Sequence, residues 1–217
     1  MDFVIAVDGP AASGKGTVAQ ALATLFGLPY LDTGLLYRAV GVRLTAAGEN
    51  LEDEAAAEKA AGQITAQDLE QSTVRTRAAG EAASRVAVHP GVRAALLDFQ
   101  RDFAATPGGA VLDGRDIGTV IAPLAAAKLY VTASAPVRAE RRRKQLLALG
   151  EKVSLDDVLA DIRRRDARDG GRDLAPMVVA DDAVLLDTTD LTIPRAFDDA
   201  RRIVEAAHAR WEKSLKG

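Results

Sequence analysis

The residues best equipped for chemistry begin at Gly9. Gly9-Pro10-Ala11-Ala12-Ser13-Gly14-Lys15 matches G-x-x-x-x-G-K and runs on into Gly16 and Thr17. Glycines at both ends let a short loop turn tightly enough for successive backbone N–H groups to face one anion. A helix starting at the lysine adds its positive N-terminal end. The matching ligand is a phosphate chain, with Lys15 across its outer two phosphates. In the usual loop a Ser or Thr directly after the lysine binds Mg²⁺; here that place is Gly16, and the hydroxyl comes one residue later as Thr17. Mg²⁺ is therefore expected to be held by phosphates and water, with Thr17 and Asp113 as candidates for an outer shell.

Three further groups carry charge at short spacing. Asp32-Thr33-Gly34 is followed by Tyr37-Arg38, and Asp113-Gly114-Arg115-Asp116 follows an apolar run. Asp113 suits either a carboxylate behind a metal or the cap of a turn. From Arg138 to Arg172 there are eleven Lys or Arg against seven Asp or Glu, although the whole chain has a net charge of −3. Arg165 and Arg172 flank Gly170-Gly171, a potential hinge, and are expected to work on a ligand. Arg138 and Arg142 are weaker candidates for contact with a bound phosphate chain. Arg143 and Lys144 fit a solvated helix face. The two histidines, His89 before a proline and His208 near the C-terminus, lack clustered partners and read as structural. Arginines and Lys15, together with Mg²⁺, are a set for aligning and neutralising anions.

The elements that must position these groups can be read from periodicity. Phe3 to Val7 is a buried-strand run, and Val18, Ala21, Leu22, Leu25 and Phe26 recur at helical spacing before Gly27. Strands are expected at Tyr30-Leu31, Ala110–Leu112, Lys128–Thr132 and Ala183–Leu186. Helices are expected from Leu35 to about Gly48, Thr73 to Val88, Val92 to Phe103, Ala135 to Leu149, Ser154 to about Asp166 and Ile193 to Lys213. Residues 49–72 read as a small, weakly packed insertion anchored by Leu51, Ile64 and Leu69. Strands alternating with helices imply a parallel sheet covered on both faces, whose ligands bind beyond the strands' carboxyl ends. Three charged segments stand at such ends: Asp8 to Thr17, Asp32 to Gly34 and Asp113 to Asp116.

A chain of 217 residues with 48% apolar residues can bury a core. The absence of cysteine excludes disulfides, thiolate metal sites and a cysteine nucleophile, and suits a reducing interior. No run approaches the roughly 18 apolar residues of a membrane span. An acidic total and 4% aromatic residues argue against a nucleic-acid surface, which uses broad basic faces and stacking rings. The expectation is a cytoplasmic protein, most simply a monomer, without nucleic-acid or membrane partners.

In sequence order, Asp8-Gly9-Pro10 through Thr17, Leu31-Asp32-Thr33-Gly34 with Tyr37-Arg38, Val74-Arg75-Thr76, Ala83-Ser84 with Val86-Ala87, Val92-Arg93 with Leu96-Leu97, Asp113 to Asp116, and Arg165-Asp166 with Arg168-Asp169 and Arg172 resemble the bacterial cytidylate kinases. These belong to the P-loop nucleoside monophosphate kinases. The resemblance implies an α/β P-loop three-layer fold with a five-stranded parallel sheet, a helical lid and a short acceptor-binding insertion. It further implies one kinase domain over 1–217, with its core at 1–33, 106–137 and 174–217, its acceptor part at about 34–105 and its lid at about 138–173. The implied activity is transfer of the ATP γ-phosphoryl group to CMP or dCMP, with Mg²⁺.

The resemblance also implies roles for individual residues. Gly9 to Thr17 hold ATP; Lys15, Arg115, Arg165 and Arg172 serve the transfer. Tyr37, Arg38 and Arg115 hold the acceptor phosphate, Asp169 binds the ribose, and Asp32 and Asp113 belong to the same substrate-binding set. Thr33, Ser84, Arg93 and Asp116 read the base. A carboxylate accepting from the cytosine amino group and an arginine donating to its N3 and O2 suit cytosine and oppose uracil. Another small P-loop kinase with a different monophosphate acceptor and a nucleic-acid-associated ATPase are the alternatives. One stretch departs from the family pattern: Glu49 to Ser72 is short and shows no strand alternation, so the acceptor side is expected to be helical.

Overall fold

The computed structural model describes residues 2–172 and 175–216. The expected boundary between lid and core at 173–174, and Asp173 itself, lie outside the described residues. In chain order the elements are β1 (Phe3–Asp8), α1 (Lys15–Phe26), β2 (Tyr30–Asp32), α2 (Thr33–Ala46), α3 (Glu54–Ala61), α4 (Ala66–Glu70), α5 (Arg77–Val86), α6 (Pro90–Ala104), β3 (Gly109–Gly114), β4 (Ala127–Thr132), α7 (Ala135–Ala148), α8 (Leu155–Gly170), β5 (Val184–Asp187) and α9 (Ile193–Ser214). A 3₁₀ turn occupies Ser72–Arg75 and a single π-helical turn Ile117–Ile121.

All five strands form one parallel sheet in the order β2-β3-β1-β4-β5. Alternation along β1 sends Phe3, Ile5 and Val7 to the face covered by α1 and α9, and Val4 and Ala6 to the face covered by α6. Burial on both faces explains why the strands read as unbroken apolar runs. The chain passes from β1 to β2 and β3 on one side of β1 and then to β4 on the other. The resulting crevice lies at the carboxyl ends, where Asp8 pairs in register with Gly114 and Asp32 with Asp113. Register therefore sets the charged segments side by side. No described helix is long and apolar enough to cross a membrane.

Three expectations are corrected. The stretch from Thr73 to Val88 is not one helix, because Thr76 is extended and its hydroxyl accepts from Ala79 N at 3.1 Å, making it the cap at which α5 begins. Residues 49–72 are helical as expected but not weakly packed. Ala57, Ala60 and Ala61 of α3 are buried against Leu36, Val40, Leu44, Val86, Val92 and Leu96, whereas Leu51, Ile64 and Leu69 only rim that cluster. Small residues allow α3 a close approach, so the alanines carry the packing that was looked for in larger side chains. Finally, α8 runs through Gly170, and neither Gly170 nor Gly171 takes a left-handed φ. The glycine pair ends a helix in ordinary geometry instead of forming a turn, and Asp169 stands in the last helical turn.

Candidate active site

The phosphate loop is shaped by three left-handed residues, Gly9 (φ 147°), Ala12 (φ 59°) and Gly14 (φ 93°). A Cβ at Gly9 would run into the Val131 carbonyl oxygen of β4, so glycine is required where the loop leaves β1. Gly14 then caps α1, and Lys15 is the first residue of that helix. The loop's back is fastened from outside: Arg141 of α7 donates to Ser13 O at 3.2 Å and to Thr188 O at 2.7 Å, and Thr188 Oγ1 donates to Ser13 O at 2.8 Å.

Beside the loop, Lys15 Nζ lies 3.9 Å from Asp113 Oδ2, while the Tyr30 hydroxyl faces Asp113 Oδ1 at 3.3 Å. A Cβ at Gly16 would stand 3.3 Å from Asp113 Oδ2 and 3.6 Å from the Tyr30 hydroxyl. The unusual glycine after the lysine thus leaves room for Asp113 and Tyr30. Burial, and next the neighbouring Asp32, push the Asp113 carboxyl up; burial and Arg115 push the Lys15 ammonium down. Burial also raises the Tyr30 phenol far above its ordinary range, with Asp113 and Asp32 adding to it. Asp32 caps α2 by accepting from Gly34 N at 2.9 Å. Thr17 is exposed at the rim. Two carboxylates with a buried, upward-shifted member form a surrounding that a divalent cation would relieve.

A cavity of about 540 Å³ opens from the loop towards α2, α5, α6 and α8. Its lining includes every residue expected on the acceptor side: Asp32, Thr33, Tyr37, Arg38, Ser84, Arg93, Asp113, Arg115, Asp116, Arg165, Asp169 and Arg172. From the loop it includes Ala11, Ala12, Gly14, Lys15, Gly16 and Thr17, whereas Gly9, Pro10 and Ser13 stand behind as its frame. Tyr37 and Arg38 arrive through the first turns of α2, Ser84 through α5 and Arg93 through α6. Arg165 and Asp169 sit one turn apart on α8 and face inward together.

Cations gather at the centre of this cavity. Arg38 donates to Val74 O at 3.0 Å, and Gly80 supplies the floor, since a Cβ there would lie 3.3 Å from Arg165 Nη1 and 3.5 Å from Arg38 Nη1. Burial, then Arg115 and Arg38, push the Arg165 guanidinium down to about 10. Burial, then Arg142, push Arg38 down to about 10. The Arg165 Nε is buried without a hydrogen-bond partner among the described residues. Asp169 and Glu81 offset the Arg165 charge, and Asp32 that of Arg38, only in part.

At its far end the charges are paired. Arg93 and Asp116 form a buried ion pair, and the Arg93 guanidinium lies 5.7 Å from the centroid of the Tyr37 ring. Burial pushes Asp116 up even though Arg93 and Arg172 draw it down. Asp169 accepts from Arg115 Nε at 2.9 Å and pairs with Arg172; Ser84 Oγ faces it at 3.5 Å. Burial pushes Asp169 up, but Arg115, Arg172 and Arg165 outweigh it and hold the carboxyl below its ordinary value. Thr33 donates to the Asp113 carbonyl at 2.8 Å and retains lone pairs for accepting.

Other arginines differ from their expected parts. Arg138 is buried and fully engaged, bidentate to Asp166 at 3.0 and 2.6 Å and donating to Ala133 O at 2.8 Å. It does not line the cavity but donates to Ala11 O of the phosphate loop at 3.3 Å, bracing the loop against α8. Arg142 does line it, while donating to Thr76 O at 3.2 Å. Arg143 and Lys144 are exposed, as expected. His89 faces Leu51 O at 2.8 Å, and His208 packs edge-on to Phe3 with ring centroids 4.6 Å apart. Sequence reasoning passed over Tyr30, Gly80, Arg141 and the buried carboxylate of Asp8. For Arg141 a signal existed: Arg138, Arg141 and Arg142 share one face of a helix.

Comparison with known proteins agrees with this geometry. The cytidylate kinase family model matches residues 5–206. A cytidylate kinase of Caulobacter sp. (strain K31) is 69% identical over 211 residues, covering 97% of this chain and 98% of its own. The cytidylate kinase of Xanthobacter autotrophicus (strain ATCC BAA-1158 / Py2) is 62% identical over 207 residues, covering 95% and 99%. Among solved structures, a gluconokinase from Sinorhizobium meliloti 1021 aligns with a TM-score of 0.51 at 16% identity over 98% of this chain and 97% of that one, a likeness of fold alone. With its phosphate loop, its inward-facing arginines and these relatives, the chain belongs to the cytidylate kinase family.

Proposed function

We propose that the cavity is a two-substrate site in which the chain transfers the γ-phosphoryl group of ATP to CMP or dCMP, releasing ADP and CDP or dCDP. The observation that carries the assignment of residues is the gathering of Lys15, Arg38, Arg115 and Arg165 between the phosphate loop and the Arg93–Asp116 pair in one cavity. A phosphate oxygen of the acceptor attacks the γ-phosphorus, the bond to the β,γ-bridging oxygen breaks, and ADP leaves with the electron pair. The attacking oxygen is already ionised, so no general base is needed. The four cations align two polyanions and neutralise charge spreading over the transferred group.

Lys15 and the loop N–H groups hold the donor. Tyr37, Arg38 and Arg115 hold the acceptor phosphate, Asp169 the sugar, and Arg165 and Arg172 close from α8. Thr33, Ser84, Arg93 and Asp116 read the base, with Asp116 accepting from the cytosine amino group and Arg93 donating to the ring. Asp113 and Thr17 would stand in the outer surroundings of Mg²⁺, which would supply positive charge to the donor phosphates. In this reading the core, the acceptor part and the lid divide the labour of one kinase domain, acting as a monomer in the cytoplasm.

A coupled assay with ATP and a panel of CMP, dCMP, UMP and AMP tests the proposal. CMP and dCMP are expected to exceed UMP in kcat/KM by on the order of 10²-fold or more; a preference for UMP or AMP would overturn the reading of the base site.

A further inference from the structure

Asp8, the last residue of β1, is 5% exposed and does not line the cavity. Its two carboxylate oxygens each accept one backbone N–H from the π-helical turn after β3: Ile117 N at 2.8 Å on Oδ1 and Gly118 N at 2.7 Å on Oδ2. These are the two residues immediately after Asp116, whose own carbonyl accepts from Val120 N at 2.9 Å and Ile121 N at 3.2 Å. Asp8 therefore caps, from a different strand, the turn that presents Arg115 and Asp116. The fit is close, because a Cβ on Gly118 would lie 3.3 Å from Asp8 Oδ2 and 3.1 Å from Lys128 Cδ.

The clamp is a demanding way to hold a turn. Burial pushes the Asp8 carboxyl up to about 6 against the two N–H groups that favour its charged form, and the nearby Asp116 adds to the rise while Lys15 opposes it. A neutral cap would avoid that desolvation. What the carboxylate adds is two acceptors in one plane, which fix both the position and the rotation of the following peptide units. Single π-helical turns of this kind recur at functional sites. Asp8 is also bonded directly to Gly9, so one residue ties the first turn of the donor loop to the segment at the acceptor's base.

We infer that Asp8 is a positioning residue for base selectivity, setting the Arg115–Asp116 segment against the donor loop without touching either nucleotide. The inference rests on the reading of Asp116 as a base contact. Replacing Asp8 with Asn keeps the shape but leaves one N–H facing an amide donor, which rotates the turn. Gly118→Ala strains the same clamp from its other side.

The test compares kcat/KM for CMP and UMP, and KM for ATP, in wild type, Asp8→Asn, Gly118→Ala and Asp116→Ala, with melting temperatures alongside. Asp8→Asn and Gly118→Ala are each expected to lower the CMP:UMP ratio about tenfold while KM for ATP changes less than threefold. Because Gly118→Ala keeps the carboxylate, it still tests the clamp if Asp8→Asn fails to fold. A ratio that falls in Asp116→Ala but is unchanged in the clamp variants, whatever their melting temperature, overturns the inference and leaves the base site intact. A ratio unchanged in all three variants overturns both.

Discussion

In the proposed reading Arg165 serves a ligand at some expense to the stability of the protein alone. Its Nε is buried without a partner among the described residues, and burial together with Arg115 and Arg38 pushes its guanidinium down to about 10. A buried, repelled cation destabilises the free fold and becomes favourable when an anion arrives. Arg165→Leu is expected to raise the melting temperature of the ligand-free protein by about 2–4 °C, as expected for relief of roughly 1 kcal/mol. The same variant should lower kcat/KM for CMP by on the order of 10²-fold. Calorimetry and steady-state kinetics check the two halves, and a lower melting temperature would contradict the strain. The carboxylates give a pH dependence of definite sign. Asp8 and Asp113 are pushed up to about 6 and about 7 by burial, so between roughly pH 4 and 7 the folded chain keeps protons that the unfolded chain has released. Stability must then fall as pH rises through that window. The ligand-free protein is expected to melt at a higher temperature at pH 5.5 than at pH 7.5; the reverse order would show that these groups are not buried as described. Asp169, held below its ordinary value, contributes stability that is lost only at more acid pH.

At the scale of elements, α8 and the segment before it are docked on α5 by polar contacts. Arg77 at the start of α5 pairs with Asp161 of α8, Glu81 of α5 pairs with Arg168 at 2.9 Å, and Glu151 accepts from Arg77 N at 2.9 Å. Arg142 of α7 reaches the Thr76 carbonyl that precedes α5. Partly exposed pairs of this sort contribute about 0–1 kcal/mol each and weaken with salt, which suits the lid role proposed for α7 and α8. The double variant Arg77→Ala, Arg168→Ala is expected to raise KM for both nucleotides about threefold to tenfold and to increase ATP hydrolysis relative to transfer, because a loosened lid admits water. Unchanged KM values in the double variant would show that these pairs do not serve substrate binding.

At the scale of the molecule, the sheet and most of the cavity were legible in the sequence for a physical reason. Strands buried on both faces leave apolar runs such as Phe3–Val7, and the loop Gly9–Lys15 needs its glycines where the chain turns and where β4 comes close. What could not be read from periodicity was contact between distant segments. Asp8 caps a turn more than a hundred positions away, Gly80 is a floor only because two arginines happen to cross it, and Tyr30 has meaning only beside Asp113 and Gly16. Packing by α3 is not legible because alanines carry little signal on their own, and α8 runs past its expected end near Asp166 because Gly170 also accepts helical geometry. Those misses concern how parts are held; the expected acceptor residues nevertheless line one cavity.

In the proposed reading phosphoryl transfer excludes water and joins two nucleotides held at opposite ends of that cavity. Incubation with γ-³²P-labelled ATP and an equimolar mixture of CMP and UMP, followed by separation of the products, tests it most directly. The label is expected in CDP, with little in UDP or free phosphate. Label mainly in free phosphate, or shared equally between CDP and UDP, would contradict it.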